Sequence, residues 1–495
     1  MNELATTKLP DRSPVRVAGG RATVRAATPL AAVLLLLGLA TPLLAHLALI
    51  AGSPGADESL AVVPEFIRLS FTEPVEVGLS SIVLMGPDGG VALGALTASD
   101  ARDELEAPVL GDLIAGEYTV RWQAVGRDGH PVRGEYGFGI EEDAEGLVVP
   151  DTATVLEFDT AAAAPAAPVA QQPSFSPQSP LYAGIRWLGY LGIIGAVGAL
   201  GFGMLLGTGR LAGGGLPEPL YSAAQNGAAG LGAISASLLL MTLPLRLQAQ
   251  SHALFGGGVT GDRFSLMAET LWGQAWMLQA GGVLLMLVGL LLVRRIGRPG
   301  WYLAAAGALP LAVAPGMSGH AASVDSSPLL AIGSDGLHLL AAGVWLGTLV
   351  VIFAIGLPLL RNLESTERGR ILFELVNAFS PVALVAAGVL VATGLYASFL
   401  HLGAVADLWT TPYGRLLLAK LLLVAIVFAT GAFNWRRLRP RSGDPGAADQ
   451  LRGSAAVELT AAVLVVGLTS FLVAVPPPAD ALEAPATNSG ASVLP

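Results

Sequence analysis

The chain reads as an exported β-sandwich followed by an all-α, polytopic membrane domain of about eight helices. Three observations predict this. Hydrophobic residues make up 53% and charged residues only 13% of the 495 positions, against roughly 25% charged in a soluble protein, so much of the chain belongs in lipid. Residues 46–142 alternate apolar and polar side chains with the period of strands. From residue 181 onward, apolar segments recur near the roughly 20 residues that cross a bilayer.

Residues 1–45 read as a signal peptide. Lys8, Arg12, Arg16, Arg21 and Arg25 form a basic region ahead of the apolar run "PLAAVLLLLGLATPLLA". Pro42 breaks that run and Ala45 supplies a small residue for cleavage. Cutting there makes His46 the new N-terminus, with a free α-amine beside its imidazole.

Within 46–142, "GEYTVRWQAV" places Tyr118, Val120, Trp122 and Ala124 on one face, and "GEYGFGI" places Tyr136, Phe138 and Ile140 likewise. "EFIRLSF" adds a strand, and "SSIVLMGPDGGVAL" adds two around a Pro-Asp-Gly-Gly turn. Short strands at this spacing in just under a hundred residues predict an Ig-like sandwich. Residues 143–180 are Ala/Pro-rich and read as an extended tether. Spanning helices are expected at about 181–207, 222–246, 269–293, 300–318, 331–360, 374–400, 414–435 and 455–475, so the membrane domain covers 181–478 and a disordered tail covers 479–495.

With the β-domain exported, the first, third, fifth and seventh helix links lie inside. Those links carry twelve arginines, and the outer ends and links carry only Arg186, Arg246, Arg263 and Arg415. The positive-inside rule therefore supports a multi-pass plasma-membrane protein with its β-domain on the outer face. Residues 46–180 hold 21 Asp or Glu against five Arg and no Lys, a balance that argues against nucleic acid and suits cations.

The chain has no cysteine, which excludes disulfides and thiolate metal sites, and six histidines. Under this topology all six fall on or near the outer side: His46 and His130 in the β-domain, His252 in the link after the second helix, His320 and His401 at the ends of the fourth and sixth, and His338 about two turns into the fifth. Imidazole is then the strong donor available for a borderline metal such as copper. In "VGRDGHPVRGEY", Asp128 and His130 stand at i, i+2, and on an extended run both point the same way. Together with a mature His46 they make three nitrogens and one carboxylate, a donor set that suits Cu(II). Asp-Gly also makes turns, so the motif alone equally fits a surface β-turn. His320 and His338 form a candidate second copper site, with Asp335 one turn before His338 placed to orient its ring. Trp187, Trp345, Met204, Met241, Met277 and Met286 read as packing, and Lys420 and Glu458 as snorkelling side chains.

Residues 46–140, through "AHLALIAGSPGADESLAVVPEFIRLSFTEPVE" and "GEYTVRWQAVGRDGHPVRGEYGFGI", resemble the exported copper-binding CopC domain. The resemblance implies a CopC-type sandwich and a histidine brace holding Cu(II) through His46 (amine and imidazole), Asp128 and His130, with Glu73 in "FTEPVE" as an additional or nearby oxygen donor. Met85 is the only methionine of this domain, so a Met-rich Cu(I) site is not implied. "SGHAAS", "LHLLAAGVWLGTL", "FSPVALVAAGVLVATGLYAS", "YGRLLLAKLLLVAIVFATGAFNWRRL" and "VPPP" resemble the CopD membrane protein, and CopC–CopD fusions are a known arrangement. The resemblance implies copper import or homeostasis, with copper ions, the lipid bilayer and copper chaperones or cuproenzyme assembly factors as partners. Ligand nitrogens bind only unprotonated, so capture should weaken as pH falls through about 6.5.

No G-x-x-x-x-G-K-[ST] and no nucleophile–base arrangement occurs in the sequence, so neither an energised pump nor an enzyme is expected. Two other readings compete: a haem-binding electron carrier or metalloreductase using His320, His338 or His401 as axial ligands, and a copper sensor or assembly factor without transport.

Overall fold

The structure, a computed structural model, describes residues 47–127, 129–145, 175–177, 179–207, 216–322, 324, 327–438, 447–475 and 477–478. The expected signal peptide, most of the expected tether, the tail, His46 and Asp128 lie outside the described residues.

Strands β1 (Leu49–Ser53), β3 (Phe66–Phe71), β7 (Glu104–Pro108) and β6 (Thr97–Ala98) form a four-stranded sheet in that order. The second sheet runs β2 (Ser59–Val62), β9 (Pro131–Glu145), β8 (Gly116–Val125), β4 (Ser81–Gly86) and β5 (Gly89–Val91). Its pairs are antiparallel except β2 with β9. The two sheets share one core. Ile67, Leu69 and Leu105 come from the first, and Leu84, Tyr118, Val120 and Phe138 from the second. Alternation puts these side chains on the inner faces, as the sequence predicts. Tyr118 stacks on Phe138 with ring centroids 5.4 Å apart. Its hydroxyl donates to the Ile114 carbonyl at 2.8 Å and accepts from the Ile114 N–H at 2.9 Å, so the buried phenol is satisfied. The β4–β5 hairpin closes at Pro87-Asp88, with Gly86 opposite Gly89. β9 continues to Glu145, opposite Val62, three residues past the expected end of the domain.

Among the described residues, eight helices are long and apolar enough to cross a membrane. They are α1 (Pro180–Gly207), α2 (Glu218–Phe255), α3 (Leu271–Ile296), α4 (Arg298–Met317), α5 (Pro328–Leu359), α6 (Ser365–His401), α7 (Pro412–Phe433) and α8 (Ala447–Leu472). The Gly/Pro-rich fourth segment is a helix of 20 residues. α2 runs nine residues beyond its expected end at 246, so His252 sits in its last turn rather than in a link.

Close approach of α1 and α5 rests on glycines. A Cβ on Gly198 would lie 2.1 Å from the Gly347 carbonyl carbon, and one on Gly347 would lie 2.0 Å from the Ile194 oxygen. Without a solvent-driven force between helices in lipid, such backbone contact supplies the packing. Gly347 closes a π-turn, Gly343–Gly347, and the buried Thr348 hydroxyl after it donates to Gly198 O at 3.3 Å.

Of the two side chains expected to snorkel, Glu458 does not. Glu458 on α8 is 3% exposed and accepts from Asn434 Nδ2 at 3.1 Å, with a further side-chain bond to Trp345. A carboxylate this deep in a bundle is held by donors on its neighbours rather than stretched to the interface. Lys420 on α7 is half-buried and interacts electrostatically with Asp335 on α5. Of the methionines, Met286 is core, while Met204, Met241 and Met277 lie on the outer surface of the helices.

The β-domain rests on the ends of α2 and α3. In the β8–β9 connection Gly129 has φ +81°, and its N–H donates to Gly126 O at 2.9 Å. Its carbonyl accepts from the Gln250 side-chain amide at 2.5 Å. Arg133 donates through Nη2 to Ala253 O at 2.7 Å, one of the last carbonyls of α2, and so caps that helix from another domain. Its Nε bonds Gln123 Oε1 at 2.8 Å, and burial holds its guanidinium below the ordinary arginine value. Leu79 and Val125 pack with Leu254 and Met267 beside these bonds.

Gly129→Ala should loosen this contact. The residue has a left-handed φ, and a Cβ there would meet Gln250 Nε2 and Trp272 Cβ at 3.0 Å. A cost of about 1–2 kcal/mol is expected, read as faster hydrogen exchange across 126–133 and the end of α2 with the sandwich core still protected. For the α8 carboxylate, Glu458→Gln should keep thermal stability in detergent, because an amide can donate to the otherwise unpartnered Asn434 Oδ1. Glu458→Ala should lose about 1–3 kcal/mol.

Candidate metal centre

Residues 126–130 carry the most specific expected donors, of which Asp128 lies outside the described residues. On either side of it, Gly129 N–H donates to Gly126 O at 2.9 Å, and Gly126 N–H donates to His130 O at 3.3 Å.

Other groups lie near the turn. Val75 bridges Gly126, and Glu76 N–H donates to Val125 O at 2.7 Å. Burial pushes the Glu76 carboxyl up, and Arg102 and Arg127 offset part of that rise. Glu73, the expected accessory donor, is half-buried in the segment after β3.

His130 does not face open solvent alone. It lines a cavity of about 60 Å³ together with Tyr182 and Arg186 of α1, Arg246 of α2, Trp272 of α3 and His320. The contributing ends are the start of α1 and α3 and the last third of α2, with His320 just past α4. These are the ends that an alternating topology puts on one side. His320 opens a single helical turn, His320–Ala322, that follows α4.

The membrane histidines make different described contacts. His320 stands beside His401, the last residue of α6, with ring centroids 6.1 Å apart, and His401 in turn meets the Tyr413 ring at 6.4 Å. His338 makes its described bond elsewhere, Nδ1 to Thr393 Oγ1 on α6 at 2.8 Å. The Thr393 hydroxyl donates to Val389 O at 2.7 Å, so it accepts from His338, Nδ1 carries the proton and Nε2 presents a lone pair. Thr393, not the expected Asp335, orients this ring. Among the described residues no group of three or more His, Cys, Asp or Glu converges on one point.

Three residues of this region have no copper-site role in the sequence reading. His401 enters it only as a helix-end histidine and a candidate haem ligand, and its neighbour His320 lies 81 positions earlier. Arg186 and Arg246 were counted as two of the four outer arginines without a role. That scarcity was the available signal: a charge kept inside an apolar helix is costly unless it is used.

Residues 49–141 match the CopC domain family, residues 177–330 the copper resistance protein D-like N-terminal domain, and residues 373–472 copper resistance protein D. The copper transport protein CutJ of Bacillus subtilis (strain 168) is 26% identical over 404 residues, covering 79% of this chain and 68% of that protein. Copper resistance protein D of Pseudomonas syringae pv. tomato is 28% identical over 317 residues, 61% of this chain and 99% of that protein. Copper resistance protein C of Escherichia coli is 33% identical over 116 residues, 22% of this chain and 90% of that protein. These matches run in chain order over the two-sheet domain and the helices, and the chain belongs to the copper resistance family as a CopC domain fused ahead of a CopD membrane domain.

Proposed function

We propose that this protein captures Cu(II) on the outer face of the plasma membrane and delivers it to its own helical domain for copper import or homeostasis. His46, through its amine and imidazole, Asp128 and His130 form the capture site, with Glu73 as a nearby oxygen donor. A tetragonal set of nitrogen and oxygen donors favours Cu(II) over softer or larger ions. From there the ion passes to His320 and its neighbour His401, and His338, whose Nε2 lone pair is available, receives it deeper in the bundle.

The observation that carries this reading is the shared cavity: His130 of the β-domain and His320 of the helical domain line the same space. Transfer between two imidazoles across one cavity needs no diffusion through bulk water, where the ion would be lost to dilution. The CopC and CopD matches and the copper transport relative support the class of cargo.

Two measurements test the reading. The full chain with one alanine inserted between Ala45 and His46 should bind Cu(II) at least tenfold more weakly in an electron paramagnetic resonance titration, because the amine is no longer on the histidine. Equal binding would remove the brace. His320→Ala should leave that titration unchanged yet reduce cellular copper accumulation severalfold, as His130→Ala should through loss of capture. Accumulation equal to wild type in both variants would mean the protein senses copper or assists assembly without moving it.

A further inference from the structure

We infer that the cavity beneath the β8–β9 turn is an anion site, in which Arg186 and Arg246 together hold a small oxyanion of the monocarboxylate class. Both guanidiniums converge on Tyr182. Arg186 lies over its ring, 5.0 Å from the centroid, and Arg246 Nε donates to its hydroxyl at 3.3 Å. They are near enough to repel each other.

Every described partner of the two is neutral. Arg186 donates to Ser470 O at 2.8 Å and Pro177 O at 3.2 Å, and Arg246 donates to Gln279 Oε1 besides Tyr182. No Asp or Glu lines the cavity among the described residues. The described ion pairs of arginine lie on other surfaces, at Arg68, Arg121 and Arg370. The intramembrane carboxylate of Asp335 is engaged electrostatically by Lys420.

Two like charges sharing an enclosed site are costly unless a counter-charge joins them. The described bonds use at most two of the five N–H donors on each guanidinium, so the forks have donors to spare. A planar fork matches a carboxylate oxygen pair better than it matches a halide. The volume of about 60 Å³ is ample for an ion of formate or acetate size.

The site has a consequence for cargo. A copper ion leaving His130 for His320 passes two fixed positive charges, and a bound anion cancels that repulsion, so copper and anion should enter as a pair. This consequence rests on the copper reading above; the anion site itself does not.

The test uses the purified full chain in detergent, free of copper, with sodium formate as the probe at constant ionic strength. Thermal unfolding should show a saturable rise in Tm with formate and a weaker, unsaturated response to chloride. Arg246→Lys, which keeps the charge and loses the fork, should weaken apparent formate affinity about tenfold, and Arg186→Gln should abolish the response. If Arg186→Gln does not fold, Arg246→Lys carries the test. An equal response in wild type and Arg246→Lys would reduce the effect to general salt and overturn the site. An equal saturable response to chloride would overturn the oxyanion class. A response absent from wild type but present in Asp128→Asn would mean that the chain's own carboxylate occupies the arginines, which also overturns the proposal. Cu(II) titration of the same samples separates the two readings. Lost copper binding with an intact formate response rejects only copper capture, and the reverse rejects only the anion site.

Discussion

One hydrogen bond governs how this protein is put together: the buried Gln250 amide holding the carbonyl of Gly129. It fixes the tip of a β-hairpin against the end of a membrane helix. An amide at 2% exposure must find its acceptor within the protein. The only way for the hairpin to present that carbonyl is to turn through a left-handed residue, which glycine supplies without strain. Arg133 on the following strand then reaches the free carbonyls that every helix leaves at its C-terminus. The position of His130 over the helical domain follows from these constraints together.

The same contact sets an electrostatic problem. The β-domain is strongly acidic and suited to attracting cations, whereas the space it covers is lined by two arginines and no described carboxylate. Attraction outside and repulsion within is an arrangement that a cation carrier must resolve. Either the metal travels with a counter-anion, or the donors hold it strongly enough to outweigh the two charges. Imidazole rings on both walls supply such donors, and their lone pairs, unlike carboxylates, add no charge of their own.

Below the cavity, several polar side chains reach across to a neighbouring helix. Thr348 bonds a backbone carbonyl at a glycine crossing, Thr393 bonds His338, Asn434 and Trp345 converge on Glu458, and Lys420 attracts Asp335. Three of these residues fall in or directly after π-turns, where one extra residue per turn shifts a side chain's direction. The helices can therefore pack through glycine contacts while still aiming polar side chains across the bundle. That combination suits a passage better than the uniform apolar packing of an anchor.

Hydrophobic patterning by itself determined the two-sheet domain, the eight helices and their approximate limits. Strand alternation and spanning length are local properties, and each segment satisfies them independently of the rest of the chain. Composition by itself also rules out a thiolate donor, because the chain has no cysteine. What only the tertiary structure decided is which side chains meet. His320 stands beside His401, Thr393 bonds His338, Glu458 turns inward instead of snorkelling, and two arginines counted merely as outer charges share one tyrosine. None of these pairings has a sequence period, since they join helices whose separation along the chain bears no relation to their spacing across the bundle. Gly129 shows the boundary between the two kinds of information: its residue type announces a turn, but that the turn rests on Gln250 near the end of α2 is decided only by tertiary packing.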